Sequence, residues 1–427
     1  PPRSRIPSPS CASGPRNGSA TTPGSIGRVA HTHDRPGDHP TPASTSRAPR
    51  PPKQEQERAS EEIVEVAPGV IRMQLPIWMP GLGHVNMYGL LDDRGLAVVD
   101  PGLPGPNSWK TLKRRLRAAG FRVRDVHTVI VTHSHPDHFG AAGRIRREAD
   151  AALITHRAFT TWSLDRKGHT LSEVEAERIE QEAIEEAQSY RGPSFEELPA
   201  MRDEQDDFTT EQQRQSVPWG GTVPWGGSRH PDPPLAQRMR MRAIRLMFSP
   251  PDPTRRVRHG SPLMLAGREW QAVHTPGHTL DHLCLWDAEN GVLLSGDHVL
   301  PTITPHVAGS ASGDSLRAYL KTLDLVADLP EVRLGLPAHG HPFDDVPGRV
   351  AAIKEHHAER MEHLHAASLA IGPASVERLS HEVFPERHWG VMAESETFAH
   401  LEHLRRDGLA ERWDEDGVMV YRCAPVT

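Results

Sequence analysis

Ten consecutive residues constrain this chain more than any other stretch: Val131-Thr132-His133-Ser134-His135-Pro136-Asp137-His138-Phe139-Gly140. They follow a β-like run from Val126 to Val131 and open into the small residues Gly140-Ala141-Ala142-Gly143. His133 and His135 sit two apart, so an extended backbone points both imidazoles to the same side. Asp137 and His138 lie just past the strand end, where the turning chain aims them at a neighbouring point. A polar surface loop can carry a chance histidine, but this ordered set suits two adjacent metal ions.

Three later segments repeat the pattern of a strand ending in a metal-type side chain. They are His274-Thr275-Pro276-Gly277-His278, Gly291 to Asp297, and Arg333 to His339. Collected at one sheet edge, His133, His135 and His278 make one pocket. Asp137, His138 and His339 make a second, with Asp297 able to bridge both. Imidazole and carboxylate donors without cysteine favour two Zn²⁺ ions, with Mn²⁺ and Fe as alternatives. Zinc lowers the pKa of bound water towards about 7, which supplies a bridging hydroxide nucleophile at neutral pH. The chemistry is hydrolysis, with Asp137 the catalytic carboxylate. His282 and His298 lie beside ligands, where they either pack behind them or shuttle a proton. His274 and His341 are read as structural, His356 and His357 as solvated or core positions on a helix, and Cys284 as buried core.

At these residues the chain resembles a known family. His133-Ser134-His135-Pro136-Asp137-His138 matches the His-x-His-x-Asp-His signature of the metallo-β-lactamase-fold hydrolases. His278, Asp297 in Ser295-Gly296-Asp297, and His339 before Gly340 look like the later metal motifs, in the same order. Asp100, ending Val98-Val99-Asp100-Pro101-Gly102, is similar to the family's first motif, which buttresses the metal loop. The resemblance covers about residues 62 to 345. It implies an α/β fold, an αββα sandwich with a binuclear centre, usually zinc.

The remainder organises around that core. Residues 1–60 are Pro, Ser, Arg, Gly and Thr with few large apolar side chains, a composition that predicts disorder; His31, His33 and His39 lie within it. A hydrolase domain spans 61–346. Its strands are expected around the Pro68-Gly69 turn, over Val85–Leu91 and Leu96–Val99, and near Ala152–Thr155. A helix is expected over about 108–119, where Trp109, Leu112 and Leu116 recur at helical spacing.

Residues 163–258 read as an insertion with its own helices. It has an acidic helical stretch (171–190), a near-repeat of Val-Pro-Trp-Gly-Gly at 217 and 223, and a basic run: Arg238, Arg240, Arg242, Arg245, Arg255, Arg256 and Arg258. Folded over the metals, those arginines would hold a phosphate-bearing substrate. From 347 to 427 three helices and a β-hairpin suggest a winged-helix-like domain. It is similar to the extension in the branch containing glyoxalase II-like hydrolases and β-lactamase-like protein 2 endoribonucleases.

Composition narrows the partners. A net charge of −7 advertises no general affinity for nucleic acid or anionic membranes. The third C-terminal helix begins Glu394-Ser395-Glu396 and the wing tip is Asp414-Glu415-Asp416, a poor match to a phosphate backbone. Packing or homodimerisation suits that module better. No apolar run is long enough to span a bilayer. Three scattered cysteines predict no disulfide framework and a cytoplasmic location. The first reading is therefore hydrolysis of a small acyl substrate, a thioester, ester or lactone. The alternative is a phosphodiesterase cutting single-stranded RNA, and a third is a degenerate regulator without activity.

Overall fold

The computed structural model describes residues 53–79, 81–159, 223–226, 235–236, 239–240, 243, 253–310 and 313–425. Among these, two sheets stack face to face. The first has seven strands in sequential order: β1 (Ile63–Ala67), β2 (Val70–Met79), β3 (Leu82–Asp92), β4 (Gly95–Val99), β5 (Val126–Ile130), β6 (Ala152–His156) and β7 (Arg255–Val257). Its first four strands are an antiparallel meander, and β4 to β7 run parallel. The second sheet has the order β12-β11-β10-β9-β8. It is built from β8 (Pro262–Leu265), β9 (Arg268–His274), β10 (Leu283–Asp287), β11 (Val292–Gly296) and β12 (Leu334–Pro337).

Burial follows the alternation of each strand. Tyr88, Leu90, Val99, Ile130 and Ile154 of the first sheet meet Trp270, Leu285, Leu294 and Leu336 of the second in one inner core. The first sheet's outer face is covered by α1 (Pro106–Ala118), and α2 (Pro136–Phe139) and α3 (Ala142–Ala149) follow β5. Trp109, Leu112 and Leu116 of α1, with Ile145 of α3, pack there against Met73, Val98 and Val129. The second sheet's outer face is covered by α4 (Ser315–Ala327) and the start of α5 (Val346–Ile371). Helix, sheet, sheet and helix thus form the four layers expected from the sequence. Strands 4, 5, 9, 11 and 12 all deliver their C-terminal loops to one edge, where the metal-type residues gather.

After Val346 come α6 (Val376–Val383) and α7 (Val391–Arg406), then the hairpin of β14 (Ala410–Glu415) and β15 (Val418–Cys423). The short β13 (Ala374–Ser375) adds a third strand on β15, which hydrophobic patterning alone did not reveal. Among the described residues no helix is long and apolar enough to cross a membrane.

Three boundaries shift. Glu55 falls in the segment assigned to disorder by composition, yet it is fully buried and accepts hydrogen bonds from the backbone N–H groups of Thr302 and Ile303. A polar segment can be ordered by satisfied charged hydrogen bonds as well as by apolar burial. Arg255 and Arg256, assigned to the insertion, belong to β7 of the main sheet. The Arg256 guanidinium donates to the carbonyls of Arg157 and Phe159. Third, Trp225 of the second Val-Pro-Trp-Gly-Gly copy packs in the C-terminal core against Phe398 and donates to Glu394. The acidic stretch 171–190, the first copy at 217, the three N-terminal histidines, and Arg238, Arg242 and Arg245 lie outside the described residues.

Candidate metal centre

All seven residues singled out as ligands meet at the sandwich edge. His133, His135, His278 and Asp297 form one cluster and Asp137, His138 and His339 another, each with ligand atoms within 4.8 Å of one another. His133 Nε2 lies 3.0 Å from His135 Nδ1, and His278 Nε2 lies 3.1 Å from that same Nδ1. Two nitrogens bound tetrahedrally to one zinc at about 2.0–2.1 Å stand roughly 3.3 Å apart, close to both spacings. Asp297 lies between the clusters. Its Oδ2 is 3.6 Å from His278 Nε2 and 3.4 Å from His138 Nε2, and its Oδ1 is 3.3 Å from His339 Nε2. Asp137 Oδ2 completes the second cluster at 3.5 Å from both His138 and His339.

Hydrogen bonds behind the rings determine which nitrogen faces inward. Asp100 accepts from Thr132 N–H and from Thr132 Oγ1, at 2.9 and 2.8 Å, and from His138 Nδ1 at 2.8 Å. The Thr132 hydroxyl proton being committed to Asp100, its oxygen accepts from His133 Nδ1 at 3.0 Å. His278 Nδ1 donates to the carbonyl of His306 and His339 Nδ1 to that of His84, each at 2.6 Å. Four imidazoles therefore turn Nε2 to the centre, the orientation a metal requires. Buried His138 Nε2, His339 Nε2 and Asp297 Oδ1 have no hydrogen-bond partner, and a bound cation satisfies all three. The residues fit divalent ions.

The metallo-beta-lactamase superfamily model matches residues 80–224 and 221–339, more than half of the chain. The chain belongs to that superfamily. Both clusters of metal-type side chains fall within the matched residues. A metallo-beta-lactamase family protein from Thermus thermophilus superposes with a TM-score of 0.59 at 26% identity, covering 84% of this chain and all of that one. A beta-lactamase domain protein from Burkholderia ambifaria shares the fold, with a TM-score of 0.61, 24% identity, and coverage of 86% and 95%. Among curated relatives, the lactamase-like protein adaB of Aspergillus niger is 33% identical over 111 residues, or 26% of this chain. The lactamase-like protein aptB of Emericella nidulans is 33% identical over 107 residues. The chain aligns with about a third of the length of these relatives.

Charge in this superfamily centre is divided by burial. Burial lowers the pKa of His133 and His278, and takes His135 down to about 3, so these rings are neutral as ligands must be. For Asp137 burial alone would raise the pKa, but His138 and His339 outweigh it and hold the carboxyl at about 2. Burial likewise opposes the charged form of His138, and the carboxylates of Asp137, Asp297 and Asp100 override it. Metal loading replaces that proton.

The residues behind the ligands divide by role. His282 Nε2 accepts from the Asp297 N–H at 3.0 Å and its Nδ1 donates to Thr275 Oγ1 at 2.7 Å, so both nitrogens hold the Asp297 turn. That turn needs Gly296, whose φ is +52° and where a Cβ would stand 2.6 Å from His282 Nε2. His298 is buried against Tyr319 and His282. His274 Nε2 donates to the Leu280 carbonyl across the loop carrying His278, as a structural residue should. His341 pairs with Glu57 near the surface. Sequence reading missed His84 and His306, which act through main-chain carbonyls, and Asn86, which donates to the carbonyls of Pro337 and Gly340 beside His339. It also missed Asp281, which accepts from Ser134 and whose carboxyl burial pushes up to about 7. Only the proximity of Asp281 to the Thr275–His278 motif marked it.

Proposed function

We propose that this protein hydrolyses a small acyl substrate, a thioester, ester or lactone, at two divalent ions, zinc in the first instance. In this reading His133, His135 and His278 hold one ion, Asp137, His138 and His339 the other, and Asp297 both. When bound, the ions supply Lewis acidity towards the carbonyl oxygen and a deprotonated water as nucleophile near neutral pH. Asp137, ionised at neutral pH, orients the attacking water, and Asp100 and the His84 and His306 carbonyls keep the rings aimed. His282 has both nitrogens engaged, which supports a positioning role over proton transfer.

The choice of acyl substrate over RNA rests on one observation: five of the eight arginines in residues 347–427 pair with acidic side chains. Arg405 and Arg412 pair with Glu402, Arg422 with Glu411, Arg360 with Glu396, and Arg378 with Glu382. A surface that grips a phosphate backbone keeps such cations for its ligand. The Arg256 guanidinium, directed to the carbonyls of Arg157 and Phe159, removes one of the basic residues that had favoured a phosphate-bearing substrate. Three helices followed by a hairpin support a winged-helix-like domain that packs rather than reads nucleic acid. The buried thiols of Cys284 and Cys423 support a cytoplasmic location.

Metal-loaded protein should turn over members of an acyl-thioester and lactone panel and lose that turnover in Asp137→Ala. RNA cleavage that disappears in Asp137→Ala, with every acyl substrate inert, would sink the proposal in favour of the ribonuclease.

A further inference from the structure

A third group of metal-type side chains lies outside the hydrolytic centre. His357 projects from α5, and Glu396 and His400 project from α7 one turn apart, on one helix face. Ligand atoms from all three lie within 4.8 Å of one another. Both histidines are fully buried and Glu396 is mostly so.

Their arrangement repeats the signs seen at the sandwich edge. His400 Nδ1 donates to the Glu396 carbonyl at 2.7 Å, which leaves its Nε2 as a lone pair facing the cluster. That Nε2 lies 3.1 Å from His357 Nδ1, the separation between His135 and His278 in the hydrolytic centre. Burial lowers both rings' pKa, to about 3 for His357 and about 4 for His400, so both are neutral donors at pH 7. A simple hydrogen-bonded pair would also bring the two nitrogens together. The Glu396 carboxylate, which Arg360 also contacts, adds a third donor, with the ligand atoms of all three side chains within 4.8 Å of one another.

We propose that His357, His400 and Glu396 form a separate site for one Zn²⁺, which clamps α5 to α7 inside the C-terminal module. Two imidazoles and a carboxylate are a zinc donor set, and three protein ligands leave a fourth position for water. The occupant competes with Arg360, whose guanidinium contacts the Glu396 carboxylate, and with His306 Nδ1, 3.5 Å from the other carboxylate oxygen. The site is therefore weaker than the hydrolytic centre, and Arg360 governs its affinity.

The test uses full-length protein stripped with a chelator and titrated with Zn²⁺ alone, with bound metal counted by mass spectrometry. Because 27 histidines can bind zinc weakly, the readout is the difference between proteins. His357→Gln and His400→Gln should each bind one equivalent fewer than wild type while keeping the tight equivalents of the hydrolytic centre, which also shows that the variants fold. Glu396→Gln should weaken that equivalent at least about tenfold, and Arg360→Gln should tighten it. Equal zinc counts in wild type and both histidine variants would overturn the proposal, as would an Arg360→Gln protein with unchanged affinity. Neither result depends on hydrolytic activity, so the acyl-hydrolase reading stands or falls separately.

Discussion

At the sandwich edge, seven side chains arrive from four strand ends and are held by main-chain carbonyls and carboxylates of other loops. In the C-terminal module, three side chains arrive from two helix faces, with Arg360 and His306 against Glu396 as their main outside support. The first arrangement aims each ring individually, through Asp100 for His138, the His306 carbonyl for His278 and the His84 carbonyl for His339. The second takes its aim from helix periodicity, with the Glu396 carbonyl one turn before His400 as its one anchoring acceptor. Chemistry that must orient a substrate needs separately adjustable ligands, whereas a clamp between helices needs only two faces in register.

The largest effect that would break this contrast comes from Asp297, whose carboxylate lies 3.6 Å from His278 Nε2 in one cluster and 3.3 Å from His339 Nε2 in the other. Asp297→Ala should lower kcat/KM by more than the 10–100-fold typical of outer-shell changes and should reduce tight metal content. Retention of both tight equivalents would show that the two pockets are independent. On the other side, Trp225→Ala empties a site against Phe398 and leaves Glu394 without its donor. It should cost about 3–5 kcal/mol in denaturant unfolding of the C-terminal module while tight metal binding at the sandwich persists. Simultaneous loss of both would mean that the module and the sandwich fold as one cooperative unit.

A smaller change sharpens the role of remote support. Asp100→Asn removes the charged acceptor for His138 Nδ1, and stepwise titration should show a roughly 10–100-fold weaker second metal pocket with the first pocket less affected. The mildest test is of pH. In metal-free protein His357 and His400 have folded pKa values below the usual 6.5, so the unfolded chain binds more protons between pH 6.5 and about 4. Their contribution to stability is complete above pH 6.5 and is lost as the pH falls through that window. The fall in unfolding midpoint from pH 7.5 to 5 should be smaller in the His357→Gln, His400→Gln double variant.

Local patterns carried the parts of the molecule that could be read in advance. His133 to His138 was legible because two-residue spacing on a strand end places ligands without help from elsewhere. A layered α/β core followed from alternating strands and amphipathic helices, the four-layer sandwich from the family resemblance, and α1 lies within two residues of its expected bounds. The ends of the insertion were not legible. Arg255 and Arg256 are hydrophilic and short of any alternation, and their pairing with β6 is created by a neighbour about a hundred residues away. Glu55 escaped for the same reason, since its donors are the backbone of Thr302 and Ile303.

By itself the sequence determined the ligand types, their order, and strands that end in ligands within a layered α/β core, because these depend on side-chain chemistry and short-range periodicity; the sandwich came from the family resemblance carried by those motifs. Tertiary structure alone decided which ring nitrogen faces inward, since the acceptors are carbonyls of His84 and His306 brought from distant loops. It also decided that His357 on one helix would meet Glu396 and His400 on another. Main-chain groups are the same at every residue, and a helix face carries no record of its partner; both acquire meaning only when the chain packs.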